Sequence, residues 1–567
     1  MNREDPVNMR RAVGNVRFAF LLLPAAFFFI AYLLPLGERV MIRPDEFRYA
    51  EIPREMLTSG DWKRPRLNGV RYFEKPTLGY HITAVCMKYL GETPLAARLP
   101  SAAGTLLAAA TVYLLCRRES RDPILPGLAA GMFLSFALVL GVGTFAVLDA
   151  PFSGLVTVCM GAAYLAWKSK SRTGEALLLV IAGTAAGLAF MIKGFLGFAL
   201  PCVVIAPFLL WNRSWKKLLW WPYLPLAAAA AVSARWAWEL HQAEPDFWRY
   251  FFVEEHWKRF TSATYDRKAQ PFWYFIPVLL GGMMPAGLLW FAAWPGVMNI
   301  RWLKKPFFRY LLCWLIVPFL FFSASSCKLG TYILPVFPPL AILTASALRR
   351  SMLLHRERYR IYSVRIYRGV GTVFAVAAAA ALLLLSLRGA VFRPLCGQWI
   401  YPTLLCMAIL GALLCLVHRK RDLTALTLLV FGTAPLVCCG MLALSDGLPD
   451  GRMPERAIAS CAKILPVDDD CVIAVERTCI APVCWTLKRA DLVVAGRMGE
   501  MTYGFTNYPE HRARFFKNDE FPRLLRTAPE GKVVYITFKD LEKSPLPRDW
   551  PSPKKRITVN GVTALRF

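Results

Sequence analysis

Charged residues that could do chemistry sit in short clusters between long apolar stretches, and the densest cluster runs from Arg43 to Pro76. It holds Asp45-Glu46-Phe47-Arg48-Tyr49-Ala50-Glu51 and Arg71-Tyr72-Phe73-Glu74-Lys75-Pro76. Asp45, Arg48 and Glu51 or Ile52 recur at helical spacing, so an amphipathic helix is predicted to begin at Asp45 and lie along a membrane surface. An acid at a helix start also serves simply as a cap. Glu74 and Lys75 stand directly before the apolar run Leu78 to Leu90, where an isolated lysine would only snorkel. With Arg48 and Arg71 in the same loop, however, Lys75 adds a point charge to two bidentate forks, and that combination suits a phosphate.

Further along the chain, Asp149 precedes Pro151 at the end of one apolar run and Lys193 closes another. Charges at such ends also act as plain stop signals. The stretch Phe247 to Phe260 interleaves aromatic and charged residues, as a segment touching lipid headgroups would. His256 within it, with Glu74, could ligate a divalent metal, although the pair lacks the tight spacing of a structural zinc site. Lys328 and Tyr332 stand at the mouth of a proline-rich run with Pro335, Pro338 and Pro339. Prolines at membrane depth can open a cavity, and kinked packing explains them equally well. No P-loop, Gly-x-Gly-x-x-Gly, His-Glu-x-x-His or Gly-x-Ser-x-Gly is present, so ATP hydrolysis, hydride transfer and serine hydrolysis lose their usual carriers.

The elements that must position these groups are membrane helices. Of the 567 residues 56% are hydrophobic and only 19% charged, which excludes a disordered, collagenous or ordinary soluble chain. Thirteen apolar runs are long enough to span hydrocarbon: about 17–36, 97–116, 123–142, 151–167, 176–192, 195–211, 219–238, 271–294, 307–324, 331–348, 370–388, 400–417 and 423–444. The run at 78–90 is too short and carries His81 and Lys88. Leaving it out of the count brings seven short basic segments to one side, including Arg117-Arg118, Arg213 to Lys217, Arg301 to Lys305 and Arg349 to Arg368. The positive-inside rule makes that side the cytoplasm, with the N-terminus inside and the C-terminal residues outside. The net charge of +30 is thus read as topology and as attraction to anionic lipid, not as a nucleic-acid stripe.

The expected organisation is a transmembrane domain over 1–444, with outer loops at 37–96, 143–150 and 239–270, followed by an outer α/β domain over 445–567. In the latter, Cys471 to Val475, Leu492 to Ala495, Val533 to Phe538 and Ile557 to Phe567 are β-rich, Asn560-Gly561 signals a hairpin, and Asp519 to Arg526 is helix-like. Cys461, Cys471, Cys479 and Cys484 could form two disulfides outside the cytoplasm.

At the Asp45 to Glu51 and Arg71 to Pro76 segments, Leu148-Asp149-Ala150-Pro151, Lys193-Gly194, Phe252 to Phe260, Lys328 to Pro339 and Gly499-Glu500-Met501-Thr502-Tyr503-Gly504, the chain resembles the bacterial 4-amino-4-deoxy-L-arabinose lipid A transferases. These are GT-C membrane glycosyltransferases related to protein mannosyltransferases. The resemblance implies an all-α polytopic protein of about thirteen transmembrane helices in the bacterial inner membrane, with a periplasmic C-terminal α/β domain. It implies transfer of an aminosugar from undecaprenyl phosphate to lipid A phosphate, and hence resistance to polycationic peptides such as polymyxin. Asp45 and Asp149 match the catalytic acids; Lys75, Arg48, Arg259, Tyr332, Lys193 and Lys328 match groups that hold the donor phosphate; Glu74 and His256 match positions able to hold a metal. No cofactor is expected to be required, a divalent metal being the one candidate, and the expected state is a monomer. Gly330 departs from the proline usual in this family, and Phe47 from a small polar residue. Two rival readings are the same fold acting on a protein or another glycan, and a lipid or sugar transporter. A transporter would show an internal repeat and charges at the membrane midplane, whereas these charges gather at one surface.

Overall fold

The computed structural model describes residues 6–258, 270–297, 300–387, 398–416, 422–447, 453–465, 468 and 470–567, with the side chains of 6–14, 256, 294–297, 300–301 and 444–447 outside the description. Arg259, the basic segment 419–421 and the His256 side chain therefore fall outside the described residues. The chain divides into two compact units, one of Met1–Glu38, Pro100–Trp238 and His256–Asp446, the other of Arg39–Leu99, Glu239–Glu255 and Gly447–Phe567. The second unit gathers three separate stretches, so residues 39–99 and 239–255 are structured together with the C-terminal residues and not as simple loops of the bundle.

The first unit is helical, and each of the thirteen apolar runs falls on a helix or a bent helix pair. Among the described residues, eight helices are long and apolar enough to cross a membrane, or ten if each of two bent pairs counts as one span. Leu196–Trp211 and Ile400–Cys415 are apolar but shorter, and Tyr223–Ala243 covers the remaining run. The bent pairs, Leu125–Ser135 with Ala137–Gly143 and Phe272–Gly282 with Ala286–Ala293, turn by 68° and 92°. Backbone broken at membrane depth must find partners inside the protein. These two breaks supply one another: the Ala137 N–H donates to the Met284 carbonyl at 3.0 Å.

Small residues set a close helix crossing beside Asp149 in this unit. A Cβ on Gly104 would lie 2.4 Å from the Pro151 backbone, and one on Gly154 would lie 2.3 Å from the Gly104 carbonyl. Helices Pro94–Glu119 and Asp149–Lys168 therefore touch backbone to backbone, as small-residue membrane interfaces do. The Ser101 hydroxyl donates to the Val147 carbonyl at 2.9 Å. Together these contacts fix where the helix carrying Asp149 begins.

In the second unit, helix Asp45–Ser59 is followed by a hairpin of β1 (Arg66–Leu67) and β2 (Val70–Arg71). Its turn residues Asn68 and Gly69 have φ of 57° and 67°, the left-handed pair that a two-residue hairpin requires. Leu78–Leu90 is a 13-residue helix, too short to span hydrocarbon. The C-terminal residues form a six-stranded sheet of order β5-β4-β3-β6-β8-β7, from β3 (Val472–Glu476), β4 (Val493–Ala495), β5 (Phe515–Phe516), β6 (Val533–Thr537), β7 (Lys555–Val559) and β8 (Val562–Arg566). β5, β4, β3 and β6 run parallel, with Ala474 opposite Tyr535; β8 and β7 then alternate in direction. Each β6 residue is buried, as the continuous apolar run of a central parallel strand predicts. Phe521, Tyr535, Leu565 and Phe567 form its core, and the hairpin at Asn560 and Gly561 is present with φ of 48° and 74°.

The expected disulfides do not form. Cys461, Cys471, Cys479 and Cys484 are free, buried thiols. Their partners lie in four different places: the Val562 carbonyl, Arg566, Glu476 and Asn68. Each is buried against a different segment of the unit.

Candidate active site

In the second unit the site begins with helix Asp45–Ser59. Pro44 precedes it, Asp45 and Glu46 occupy its first turn, and Gly60 ends it in the left-handed region with its N–H on the Met56 carbonyl. Glu46, which sequence reasoning passed over, pins that start. Its carboxylate accepts from Arg39 at 3.0 Å, from Arg98 at 2.7 and 3.0 Å, and from the Ile42 N–H at 2.8 Å. All three side chains are at most 2% exposed. Burial, with Arg98 alongside and despite Glu46, pulls Arg39 down to about 10, so it is still charged at neutral pH. Arg98 also donates to the Arg39 carbonyl at 2.6 Å and the Val40 carbonyl at 3.0 Å, which ties down the chain entering the helix.

Asp45 is thus delivered at the first turn, 44% exposed and ion-paired with Arg48. Arg48 is buried beneath it and meets two more acids: an ion pair with Glu500, and Glu74 at 3.8 Å. Tyr72 joins them, accepting from Arg48 at 3.2 Å and donating to Glu74 at 2.9 Å. Three carboxylates and a phenol around one guanidinium make Arg48 the hub that orients Asp45. Lys75 is held by the Glu74 carbonyl at 2.8 Å and by buried Glu255 at 3.5 Å. Glu244 gathers Arg71 at 2.7 Å, Arg64 at 3.1 Å and the Tyr508 hydroxyl. The expected cations of this loop are present: Glu255 and Glu244, buried acids that the sequence reading had not assigned, hold Lys75 and Arg71, and the partly exposed Glu500 joins Asp45 and Glu74 at Arg48. Glu255 and Glu500 carried weak signals, the first inside the aromatic-basic stretch and the second beside Gly499, whose φ is 56°.

The first unit places a second set together. Asp149 opens helix Asp149–Lys168 and Lys193 ends helix Arg172–Lys193, so each charge sits at the helix end whose dipole favours it. They pair at 2.7 Å. The Lys193 ammonium lies 4.9 Å from the Tyr332 ring centroid, which joins three expected site residues. Lys328 donates to the Gln270 carbonyl at 2.9 Å and to the Ser325 carbonyl. Gly330 opens the 3-10 helix Gly330–Val336 that carries Tyr332. A Cβ there would make ordinary contacts, with Val278 at 3.5 Å and the Tyr274 hydroxyl at 3.9 Å, so the position does not require glycine.

For a metal, Glu74 offers a carboxylate already engaged by Tyr72 and Arg48. Among the described residues, Glu51, Glu55 and Cys484 are the group whose ligand atoms lie close enough to share an ion. Glu51 is taken by Arg54 at 2.6 and 2.8 Å, and Glu55 by the N–H groups of Asn68 at 2.5 Å and Gly69 at 2.8 Å. Burial and the neighbouring Glu51 push Glu55 up to about 8. A protonated Glu55 holding the hairpin turn is a structural arrangement.

A many-helix membrane bundle with acids and lysines held at helix termini, joined to a mixed-sheet unit, is the architecture of a polytopic membrane glycosyltransferase. Residues 17–251 match the family model described as dolichyl-phosphate-mannose-protein mannosyltransferase, and residues 449–566 match the arabinosyl transferase ArnT C-terminal domain. The undecaprenyl phosphate-alpha-4-amino-4-deoxy-L-arabinose arabinosyl transferase 2 of Proteus mirabilis is 34% identical over 558 residues, covering 96% of this chain and 97% of its own. The corresponding transferase of Erwinia tasmaniensis is 35% identical over 542 residues, covering 91% and 93%. The chain therefore belongs to the undecaprenyl phosphate-aminoarabinose arabinosyl transferase family. Its fold is that of the crystal structure of ArnT from Cupriavidus metallidurans bound to undecaprenyl phosphate, with TM-score 0.78, 22% identity and coverage of 97% of this chain and 98% of that one. It is a multi-pass membrane protein.

Proposed function

We propose that this enzyme transfers 4-amino-4-deoxy-L-arabinose from undecaprenyl phosphate to a phosphate of lipid A at the periplasmic face of the bacterial inner membrane. The observation that carries the reading is the half-exposed Asp45 carboxylate held by Arg48, in a chain whose relatives are named for this donor. In the proposed topology the N-terminus is cytoplasmic, the C-terminal domain is periplasmic, and the working form is a monomer.

The donor's anomeric carbon already bears a phosphate leaving group, so the barrier is mostly charge growing on that phosphate as the bond breaks. Fixed cations in a partly dry site stabilise such charge far more than water does. Lys75 and Lys193 are assigned this task, with Tyr332 as hydroxyl donor and Arg259 and Lys328 as supporting cations. Arg48 acts on the acids: with its three carboxylates it sets the direction of Asp45. Asp45 orients the aminosugar and steadies the developing positive charge at its anomeric carbon, and Asp149 holds Lys193. A lipid A phosphate oxygen is already anionic and needs no general base. Glu74 with His256 is the candidate metal pair, but lysine and arginine supply the charge the reaction needs, so no metal step is included.

The test compares lipid A from a strain lacking this protein with lipid A from the complemented strain by mass spectrometry. Loss of the aminoarabinose increment and its return on complementation is expected. An unchanged spectrum, or labelled sugar appearing in protein, would refute the acceptor.

A further inference from the structure

We propose that the opposite end of the first unit binds the phosphate headgroup of an anionic membrane phospholipid, at a site separate from sugar transfer. A cavity of about 640 Å³ lies there, within the usual range for small-molecule sites. Helix Asp149–Lys168 connects the two ends: Asp149 opens it, Lys168 lines this cavity from its last turn, and 20 residues separate them by roughly 30 Å at 1.5 Å per residue. The charge pattern assigns this end to the cytoplasm, where basic segments meet the negative leaflet.

The cavity's charges do not cancel. It is lined by Glu119, Asp122, Lys168, Lys305, Arg349 and Arg350. Each acid is committed, Glu119 to Lys168 in an ion pair and Asp122 to Arg349 at 2.8 Å. Lys305 and Arg350 remain without an acidic partner among the described residues. Arg350 is the informative one. Its guanidinium lies 5.7 Å from the Trp302 ring centroid, and its Nε is buried with no hydrogen-bond acceptor. A buried, charged donor left unsatisfied is costly, and native proteins rarely retain one without a partner. A phosphate oxygen is the acceptor that a guanidinium fork fits best.

The remaining wall identifies the source of that phosphate. Trp302 packs on Phe308 with ring centroids 4.4 Å apart, and Trp167 and Phe307 complete an aromatic side at the end of membrane helices. Aromatic residues of this kind collect at headgroup depth, so a diacyl lipid can present its phosphate to Arg350 and Lys305 while its chains stay in the bilayer. A free phosphate would use the two cations and none of the aromatic wall.

The experiment titrates the purified full-length protein in neutral detergent with phosphatidylglycerol, phosphatidylcholine or inorganic phosphate and reads adducts by native mass spectrometry. Phosphatidylglycerol should bind the wild type and Lys304→Gln, an exposed neighbour outside the cavity, and bind Lys305→Gln/Arg350→Gln at least tenfold more weakly. Phosphatidylcholine should bind weakly, and millimolar phosphate should not displace the lipid. Undiminished binding in the double variant, or equal binding of the two lipids, would overturn the proposal. Full displacement by free phosphate would overturn the lipid assignment. Sugar transfer by the double variant should match wild type, which separates this site from the one proposed above. Should the double variant unfold, Arg350→Lys decides instead: it keeps the charge, loses the fork, and should weaken phosphatidylglycerol several-fold, no loss being a refutation.

Discussion

Replacing Glu46 with glutamine tests how the site is held in place. The side chain keeps its volume and loses its charge, which removes the carboxylate that Arg39 and Arg98, 2% and 0% exposed, share. Breaking one partner of a buried ion pair costs about 3 to 5 kcal/mol, a large share of the 5–15 kcal/mol that typically holds a domain. For a unit of this size each kcal/mol moves the midpoint by about 2–4 °C, so Tm should fall by roughly 10 °C. Activity should fall with it, because Asp45 follows Glu46 in the same helical turn. Replacing all three residues with apolar ones, which in some buried triads is harmless, should not rescue the protein. Arg98 also satisfies the carbonyls of Arg39 and Val40, and Glu46 the Ile42 N–H, and these would be left unpaired. The assay is thermal unfolding of the detergent-solubilised protein alongside transfer rate. A Tm within 2 °C of wild type for Glu46→Gln, or recovery in the apolar triple variant, would refute the reasoning.

Three further outcomes follow. Glu55 titrates near 8 in the folded protein against an ordinary 4.5, so the folded state binds the extra proton between those values and stability should fall as pH rises from about 4.5 to about 8. Glu55→Gln should flatten that slope in Tm measured against pH. Gly504→Ala should lower activity and Tm, since a Cβ there would lie 2.5 Å from the Arg71 carbonyl and 2.4 Å from Val70, displacing the hairpin that leads to Lys75. Excess EDTA should leave transfer by the purified enzyme within a factor of two, and a loss restored by zinc or magnesium would assign Glu74 and His256 a metal after all.

The apolar runs were legible because span length and composition are enforced residue by residue by the bilayer, and the strands of the C-terminal sheet because β6 and the Asn560-Gly561 turn carry strong local signals. Asp149 with Lys193 was legible as two span-end charges, though only the helix packing at Gly104 and Gly154 shows why the first sits where it does. The bends at Phe136 and Met284 were hidden, since each broken backbone is rescued by the other across nearly 150 residues. Glu46, Glu255 and Glu500 were hidden for a related reason. Such an acid declares itself only through its partners, and the telling ones are remote: Glu46 meets Arg98 across 52 positions, and Glu500, itself 40% exposed, reaches Arg48 across 452. The four C-terminal cysteines misled because their number and expected compartment permit disulfides, while the fold buries each against a different partner.

The central claim is that Asp45 and Lys75 serve one sugar transfer from a polyprenyl phosphate. Its most direct test is reconstitution of the full-length protein with purified undecaprenyl-phosphate aminoarabinose and lipid A, following sugar transfer for the wild type, Asp45→Asn and Lys75→Ala. The account predicts transfer to lipid A by the wild type and a loss in each variant on the order of 10²-fold or more, the scale of removing one group that stabilises the transition state. Wild-type turnover in both variants, or none to lipid A by the wild type, would contradict it.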